Sequence, residues 1–266
     1  MTDLAATFRA LHQNTTPLRL ANAWDAGSAR LIESLGAPAI ATTSAGVAWA
    51  LGYPDGDTVP VRDLAAVAAA ISRIVRIPLS VDAEGGYAED PASVAENIAV
   101  LVESGAVGIN IEDGAGSPDL LAAKIERIRR VVAGKGVDLF INARIDVYLR
   151  GLVPEADRLD EVIARAQRYR DAGADGIFAP GMIDPVAIRR LVEATPLPVN
   201  LLAWKGLPAA ADLATLGVRR LSAGSGICQS LWGRTATLAK AFLEEGASAP
   251  LGEGAMPYPE INALFL

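Results

Sequence analysis

The stretch PLSVDAEGGYAED, residues 78–90, decides how the rest of the chain is read. Leu79 and Val81 have the apolar character of a strand entering a core. Asp82 and Glu84 follow two residues apart, with Gly85 and Gly86 directly behind. Strand side chains alternate faces, so both carboxylates point the same way. Burying charge is costly unless something pairs with it. A strand ending in two carboxylates is therefore expected at the mouth of a site, where the glycines let the backbone turn tightly.

The same kind of unit recurs along the chain. Strands are expected at 18–24, 39–43, 78–84, 107–113, 138–146, 176–181, 198–203 and 219–224. Amphipathic helical patterns follow near 26–35, 61–76, 91–105, 118–133, 157–172, 184–194, 207–216 and 228–245. ESLGAP, ESGAVG, RDAGADG and ATLGVRR each read as a helix closed by a C-cap glycine before the next strand. Eight strand–helix units in about 230 residues match an α/β fold of the (β/α)8 TIM-barrel type. The other architecture with this alternation is an open doubly wound sheet, but no G-x-G-x-x-G follows the first strand. The reading is one barrel over residues 1–246 and a C-terminal helical tail over 247–266.

Composition narrows the function. The chain has 266 residues, about half of them apolar, and a net charge of −7 without a Lys/Arg run. Nucleic acid and membrane are excluded as expected partners, and a cytoplasmic location is expected. One cysteine, Cys228, rules out a disulfide framework and a Cys-rich zinc site. The one histidine, His12, lies in a polar N-terminal helix and is expected on the surface.

Active groups of such barrels sit at the C-terminal ends of the strands. There the sequence places Asn22, Asp25, Thr42, Thr43, Ser44, Asp82, Glu84, Asn110, Glu112, Asp113, Asn142, Arg144, Asp146, Asn200 and Ser222. The strand starts read as mostly Pro, Leu, Ile and Val. Asp25 and Asp113 suit helix capping or solvent as well as they suit the site. Asp82, Glu84 and Glu112 would crowd together on adjacent strands, and Arg144 neutralises one of them at most. A hard divalent cation with oxygen ligands, Mg2+ or Mn2+, resolves the excess.

TTSAGVAWALGYPDGD, VDAEGGYAED, INIED and NARID, in this order, resemble the isocitrate lyase/phosphoenolpyruvate mutase superfamily over roughly residues 5–245. The resemblance implies a Mg2+-binding barrel acting on 2-oxo acids or their enolates, with bonds made or broken beside a carboxylate. It assigns Asp82, Glu84, Glu112 and Asp55 to the metal. It assigns the backbone of Thr43, Ser44, Ala45 and Gly46 to the substrate carboxylate, and Arg144 to its oxygen atoms. Asn200 and Trp24 complete the expected substrate-binding set, and Tyr87 joins Arg144 as a candidate catalytic group. Expected substrates are small 2-oxo acids of the pyruvate, oxaloacetate, glyoxylate or 2-oxoglutarate type. Relatives with this resemblance form homotetramers by exchanging C-terminal helices, so the tail is expected on a neighbouring subunit.

One departure reshapes the expected reaction. Lyases of this superfamily carry a Lys-x-Cys-Gly-His-type loop after the ED strand; here the chain runs IEDGAGSPDLLAAKIERI, with no Cys, no His and no Lys before Lys124. Isocitrate and 2-methylisocitrate cleavage is therefore expected to be weak or absent. A carbon–carbon lyase acting through an enolate is expected, with a 2-oxo acid decarboxylase, a hydrolase or a 2-oxo acid-binding protein as alternatives. Tyr53, Tyr87 and Tyr148 lie near the expected mouth as proton donors, although each also suits packing, and Cys228 is expected to pack at the start of the last helix.

Overall fold

The computed structural model describes residues 3–266. Nine strands are present: β1 Leu18–Leu20, β2 Asn22–Ala23, β3 Ile40–Thr42, β4 Leu79–Asp82, β5 Gly108–Glu112, β6 Phe140–Arg144, β7 Gly176–Phe178, β8 Val199–Leu202 and β9 Arg220–Ser222. Among them run α1 Leu4–Leu11, α2 Ala26–Ser34, α3 Ser44–Leu51, α4 Val61–Ile74, α5 Pro91–Glu103, α6 Pro118–Gly134 and α7 Val147–Arg150. They continue with α8 Arg158–Asp171, α9 Pro185–Ala194, α10 Ala210–Thr215, α11 Gly226–Glu245, α12 Ala249–Gly252 and α13 Tyr258–Ala263. All strand pairs are parallel, in the order β1-β9-β8-β7-β6-β5-β4-β3-β2. The segment expected as one first strand is interrupted at Ala21: its first half pairs with β9 and its second with β3, which brings the sheet round into a barrel.

Strands buried on both faces give near-continuous apolar runs, and the helices cover the outside. The larger cluster fills the layer between sheet and helices. A second, smaller one lies inside the barrel and joins Phe8, Leu18, Leu20, Ala39, Ala41 and Phe140. Phe8 of α1 plugs the N-terminal end. Gly108 makes that possible, since a Cβ there would stand 2.6 Å from the Phe8 ring.

Above the plug the core turns polar. Asn142 donates to Asn110 Oδ1 at 2.9 Å, and Arg220 Nη2 reaches the same oxygen at 3.2 Å. Arg220 is 1% exposed, and its Nε and Nη1 find no protein partner. This corrects the expectation of apolar strand starts. His12 is also corrected: it is buried, stacked on Phe140 at the barrel's closed end, and desolvation lowers its pKa to about 3.

Two helices differ from the sequence reading. Thr43 is followed at once by α3, a helix without polar–apolar alternation because it is buried on nearly all sides at its start. The last helix, expected at 228–245 as an amphipathic one, buries only Cys228 of α11. Gly246 ends α11 in the left-handed region. The chain then forms α12 and α13, and Leu264 accepts a hydrogen bond from Arg30 of α2 at 2.7 Å. No helix among the described residues is long and apolar enough to cross a membrane.

Candidate active site

A cavity of about 340 Å3 opens at the C-terminal ends of the strands. Parallel register assembles its floor: Asp82 stands opposite Asn110, Asn110 opposite Asn142, and Glu112 opposite Arg144. Alternation then turns Asp82, Asn110, Arg144 and Ser222 toward the same end.

The first wall is the start of α3. Ser44 N–H donates to Asp82 Oδ2 at 3.1 Å, and Asp82 N–H donates to Thr42 Oγ1 at 2.8 Å. Thr43 is the N-cap but makes no side-chain cap bond. The Ala45 and Gly46 N–H groups lie in the first turn, where no intrahelical carbonyl can accept them. Gly46 is required by packing: a Cβ would meet Thr43 Cγ2 at 2.8 Å and Trp24 Cβ at 2.9 Å. Asp82 Oδ1 is buried and has no hydrogen-bond partner.

The second wall is the loop after α3, which carries Asp55. Burial raises the Asp55 carboxyl above its ordinary pKa, with the Asp82 charge adding and the Ser44 hydroxyl and Arg144 opposing. Glu84 holds this loop: its Oε2 accepts from Gly56 and Asp57 N–H at 2.8 and 2.5 Å, and its Oε1 accepts the Tyr87 hydroxyl at 2.9 Å. Asp57 returns the grip by accepting Gly85 and Tyr87 N–H. Asp57, Glu84 and Tyr87 all sit at positive φ, at 54, 47 and 58°. Such strain persists where surrounding contacts over-determine the backbone.

Arg144 supplies the positive charge. Nη1 pairs with Glu112 at 2.6 Å, while Nε and Nη2 bind Asp146 at 2.6 and 3.0 Å. Burial works against that charge, but Glu112 and Asp146 outweigh it and hold the guanidinium protonated. Burial pushes the Glu112 carboxyl up to about 8 despite Arg144, with Asp82, Asp146 and Glu84 reinforcing the rise. Asp146, 0% exposed, also binds Arg150 at 2.8 Å. Behind it, Asp113 accepts Asp146 N–H, Arg165 Nη1 and the Tyr169 hydroxyl at 2.9, 2.9 and 2.7 Å. Asp113 is thus a structural brace for Asp146 rather than a cap or solvated residue.

Of the residues expected at the site, Thr43, Ser44, Ala45, Asp55, Asp82 and Arg144 line the cavity. Glu84 and Glu112 stand behind it, one bound to the Asp55 loop and the other to Arg144. Tyr87 points its proton at Glu84. Trp24 packs beneath Gly46. Asn200 lies below the floor, accepting from Ser222 Oγ at 3.2 Å. The sequence reading missed Leu149, Phe178, Pro180, Trp204, Lys205 and Gln229, which also line the cavity. The WKG segment, immediately beyond the strand PVNLLA, was the available signal for Trp204 and Lys205.

Among the described residues no three His, Cys, Asp or Glu side chains stand in a metal-holding group. The site nevertheless fits a hard cation that takes one carboxylate and keeps its waters. Asp82 Oδ1 is an unpartnered buried oxygen, the donors nearby are oxygen, and burial, reinforced by neighbouring carboxylates, raises the pKa of Asp55 and Glu112, which a cation would offset.

Comparison with known proteins agrees with this architecture. The family model of phosphoenolpyruvate phosphomutase matches residues 8–243. Oxaloacetate decarboxylase 1 of Pseudomonas fluorescens is 31% identical over 84% of this chain and 79% of its own. The 2-methylisocitrate lyase of Escherichia coli is 29% identical over 72% of this chain and 67% of its own. A crystal structure of a phosphonomutase-like protein from Burkholderia cenocepacia superposes with a TM-score of 0.85, at 42% identity, covering 90% of this chain and 100% of that one. The barrel, its carboxylate-rich mouth and the family match together show that the chain belongs to the isocitrate lyase/phosphoenolpyruvate mutase superfamily.

Proposed function

We propose that this protein is a Mg2+-dependent carbon–carbon lyase acting on a small 2-oxo acid, or its carbon–carbon adduct, through an enolate. The observation that carries this reading is Asp82 Oδ1, the buried and unpartnered oxygen of a cavity-lining carboxylate. Asp82 would hold the cation directly, with Asp55 and Glu112 acting through its waters. Mn2+ suits the same donors. When bound, the cation supplies positive charge opposite the keto oxygen as that oxygen gains negative charge.

The chain's own residues do the rest. Ala45 and Gly46 N–H groups receive the substrate carboxylate at the start of α3. Arg144 uses one donor each from Nε, Nη1 and Nη2 on Glu112 and Asp146, which leaves N–H groups on Nη1 and Nη2 for the substrate. Leu149, Phe178 and Leu202 line the same cavity with apolar surface, which strengthens electrostatics inside it.

The bond that breaks joins C3 of the 2-oxo acid to its substituent, and its electron pair becomes the C2–C3 bond of the enolate. When the substituent is a hydroxyalkyl group, a base must first take the hydroxyl proton. When it is a carboxylate, CO2 leaves without a base. No Cys, His or Tyr lines the cavity. Loss of CO2 from a 2-oxo dicarboxylate of the oxaloacetate type needs no base to begin and is the simplest form of the reaction, and the similarity to an oxaloacetate decarboxylase supports it. The test is pyruvate formation from oxaloacetate with Mg2+, corrected for the uncatalysed rate. Formation that is equal with excess chelator, or in Asp82→Ala, would refute the reading.

The assembly is proposed to be a homotetramer. Trp232, Phe242, Leu243, Ile261, Phe265 and Leu266 are all exposed on α11 and the tail. A neighbouring subunit would cover them.

A further inference from the structure

We infer that Lys205 is the general acid of this reaction, giving its proton to the enolate carbon after the bond to C3 has broken. The inference rests on the enolate reading above and deepens it, because the missing Cys/His loop leaves that proton without a source.

The remaining proton carriers can be followed one by one. Tyr87 donates to Glu84 Oε1 at 2.9 Å and does not line the cavity. Tyr53 faces Asp63 on the far side of its loop. Cys228 is buried against α3, its sulfur 3.4 Å from where a Gly46 Cβ would stand. His12 lies at the opposite end of the barrel, stacked on Phe140. Lys124 is bound to the Gly85 carbonyl at 2.7 Å. Of the cavity's own lining, Asp82 is assigned to the cation, and the guanidinium of Arg144 does not release a proton. Asp55 also lines the cavity but is assigned to the cation's waters, and Tyr148 is not part of the lining, so Lys205 is the remaining lining group with a proton to give. Among the described residues it makes no ion pair or hydrogen bond.

The backbone that carries it is fixed. Leu207 N–H bonds back to the Trp204 carbonyl at 3.0 Å, so residues 204–207 form a tight turn with Lys205 at its corner. Gly206 stands at φ +91°, the conformation such a turn demands at its third residue. Lys205 is solvent-exposed at its outer side and can recover a proton from water. In the step itself, an N–H bond of the ammonium breaks and leaves its pair on nitrogen. The enolate π pair forms the new C3–H bond, and the C2 oxygen returns to a carbonyl. The neutral amine is then reprotonated by solvent.

The test runs this step backwards. Full-length protein with Mg2+ and pyruvate is placed in D2O, and loss of the methyl signal is followed by proton NMR. By microscopic reversibility the group that protonates the enolate also removes a methyl proton. Wild type should exchange, and Lys205→Met should be about 100- to 10,000-fold slower with unchanged Mg2+-dependent affinity for pyruvate by calorimetry. Lys205→Arg keeps the charge but should remain slow. The inference is overturned if Lys205→Met exchanges at the wild-type rate, if Lys205→Arg restores exchange, or if wild type binds pyruvate and exchanges nothing. A wild-type protein that binds no pyruvate with Mg2+ would refute the enolate reading itself, and Lys205 with it.

Discussion

Replacing Asp146 by Ala should be the most damaging single truncation behind the site. The carboxylate is completely buried and accepts three charge-assisted hydrogen bonds, two from Arg144 and one from Arg150. Arg150 is 48% exposed, so its share is that of a surface pair, about 0–1 kcal/mol. Arg144 is different: its guanidinium is buried, and removing one partner of a buried pair costs about 3–5 kcal/mol. Glu112 still holds Nη1, which keeps the expectation near the middle, about 4 kcal/mol. For a chain of this size that lowers the melting midpoint by about 8–16 °C. Arg150→Ala should lower it by no more than about 4 °C. Scanning calorimetry of both variants, and of the double variant, measures the two shares and their coupling. If Asp146→Ala melts with the wild type, or if Arg150→Ala falls as far as Asp146→Ala, the clamp on Arg144 has been misjudged.

Asp82→Ala should abolish Mg2+-dependent pyruvate binding by calorimetry while leaving the circular dichroism spectrum intact. The Glu112 carboxyl is held at about 8 in the fold against 4.5 ordinarily, so the folded protein binds the extra proton between those values. This contribution to stability is present below 4.5 and is lost as pH rises through about 8; metal-free melting should show it, and Glu112→Gln should flatten the slope. Mg2+ binding should tighten over the same interval and release protons, which calorimetry in buffers of different ionisation enthalpy detects. Deleting residues 247–266 should shrink the assembly seen by light scattering; unchanged mass would show that the tail does not hold the subunits.

Much of the barrel could be read in advance because its cause is local. Period-two strands, period-three-and-a-half helices and C-cap glycines each announce themselves within a dozen residues. That Asp82 and Arg144 face the mouth was equally readable from their places at strand ends, whereas Asp55, in the loop after α3, was named by the family resemblance alone. What could not be read depends on which neighbour a side chain meets. Glu84 and Tyr87 looked like site groups, but the strained turn around them aims Glu84 at the Asp55 loop and the Tyr87 hydroxyl at Glu84. Arg220 opens a strand whose start was expected to be apolar, and strand register with Asn200 carries it inside the barrel. His12 was misplaced because its burial depends on Phe140, some 130 residues away in order of magnitude, closing over it. Lys205 sits just past a strand end, where only the turn geometry distinguishes it from an ordinary loop lysine.

The polar middle of the barrel has a consequence for engineering. A guanidinium sealed at 1% exposure with a single hydrogen bond, to Asn110, gives up stability that a ring of aliphatic side chains would supply. Arg220→Met is therefore an expected gain in thermal tolerance, obtained from the axis of the barrel rather than from its surface. The same exchange would also remove a buried positive charge beneath the cavity floor. A variant library scored at once for heat resistance and for turnover would then trace how far this scaffold trades durability for chemistry.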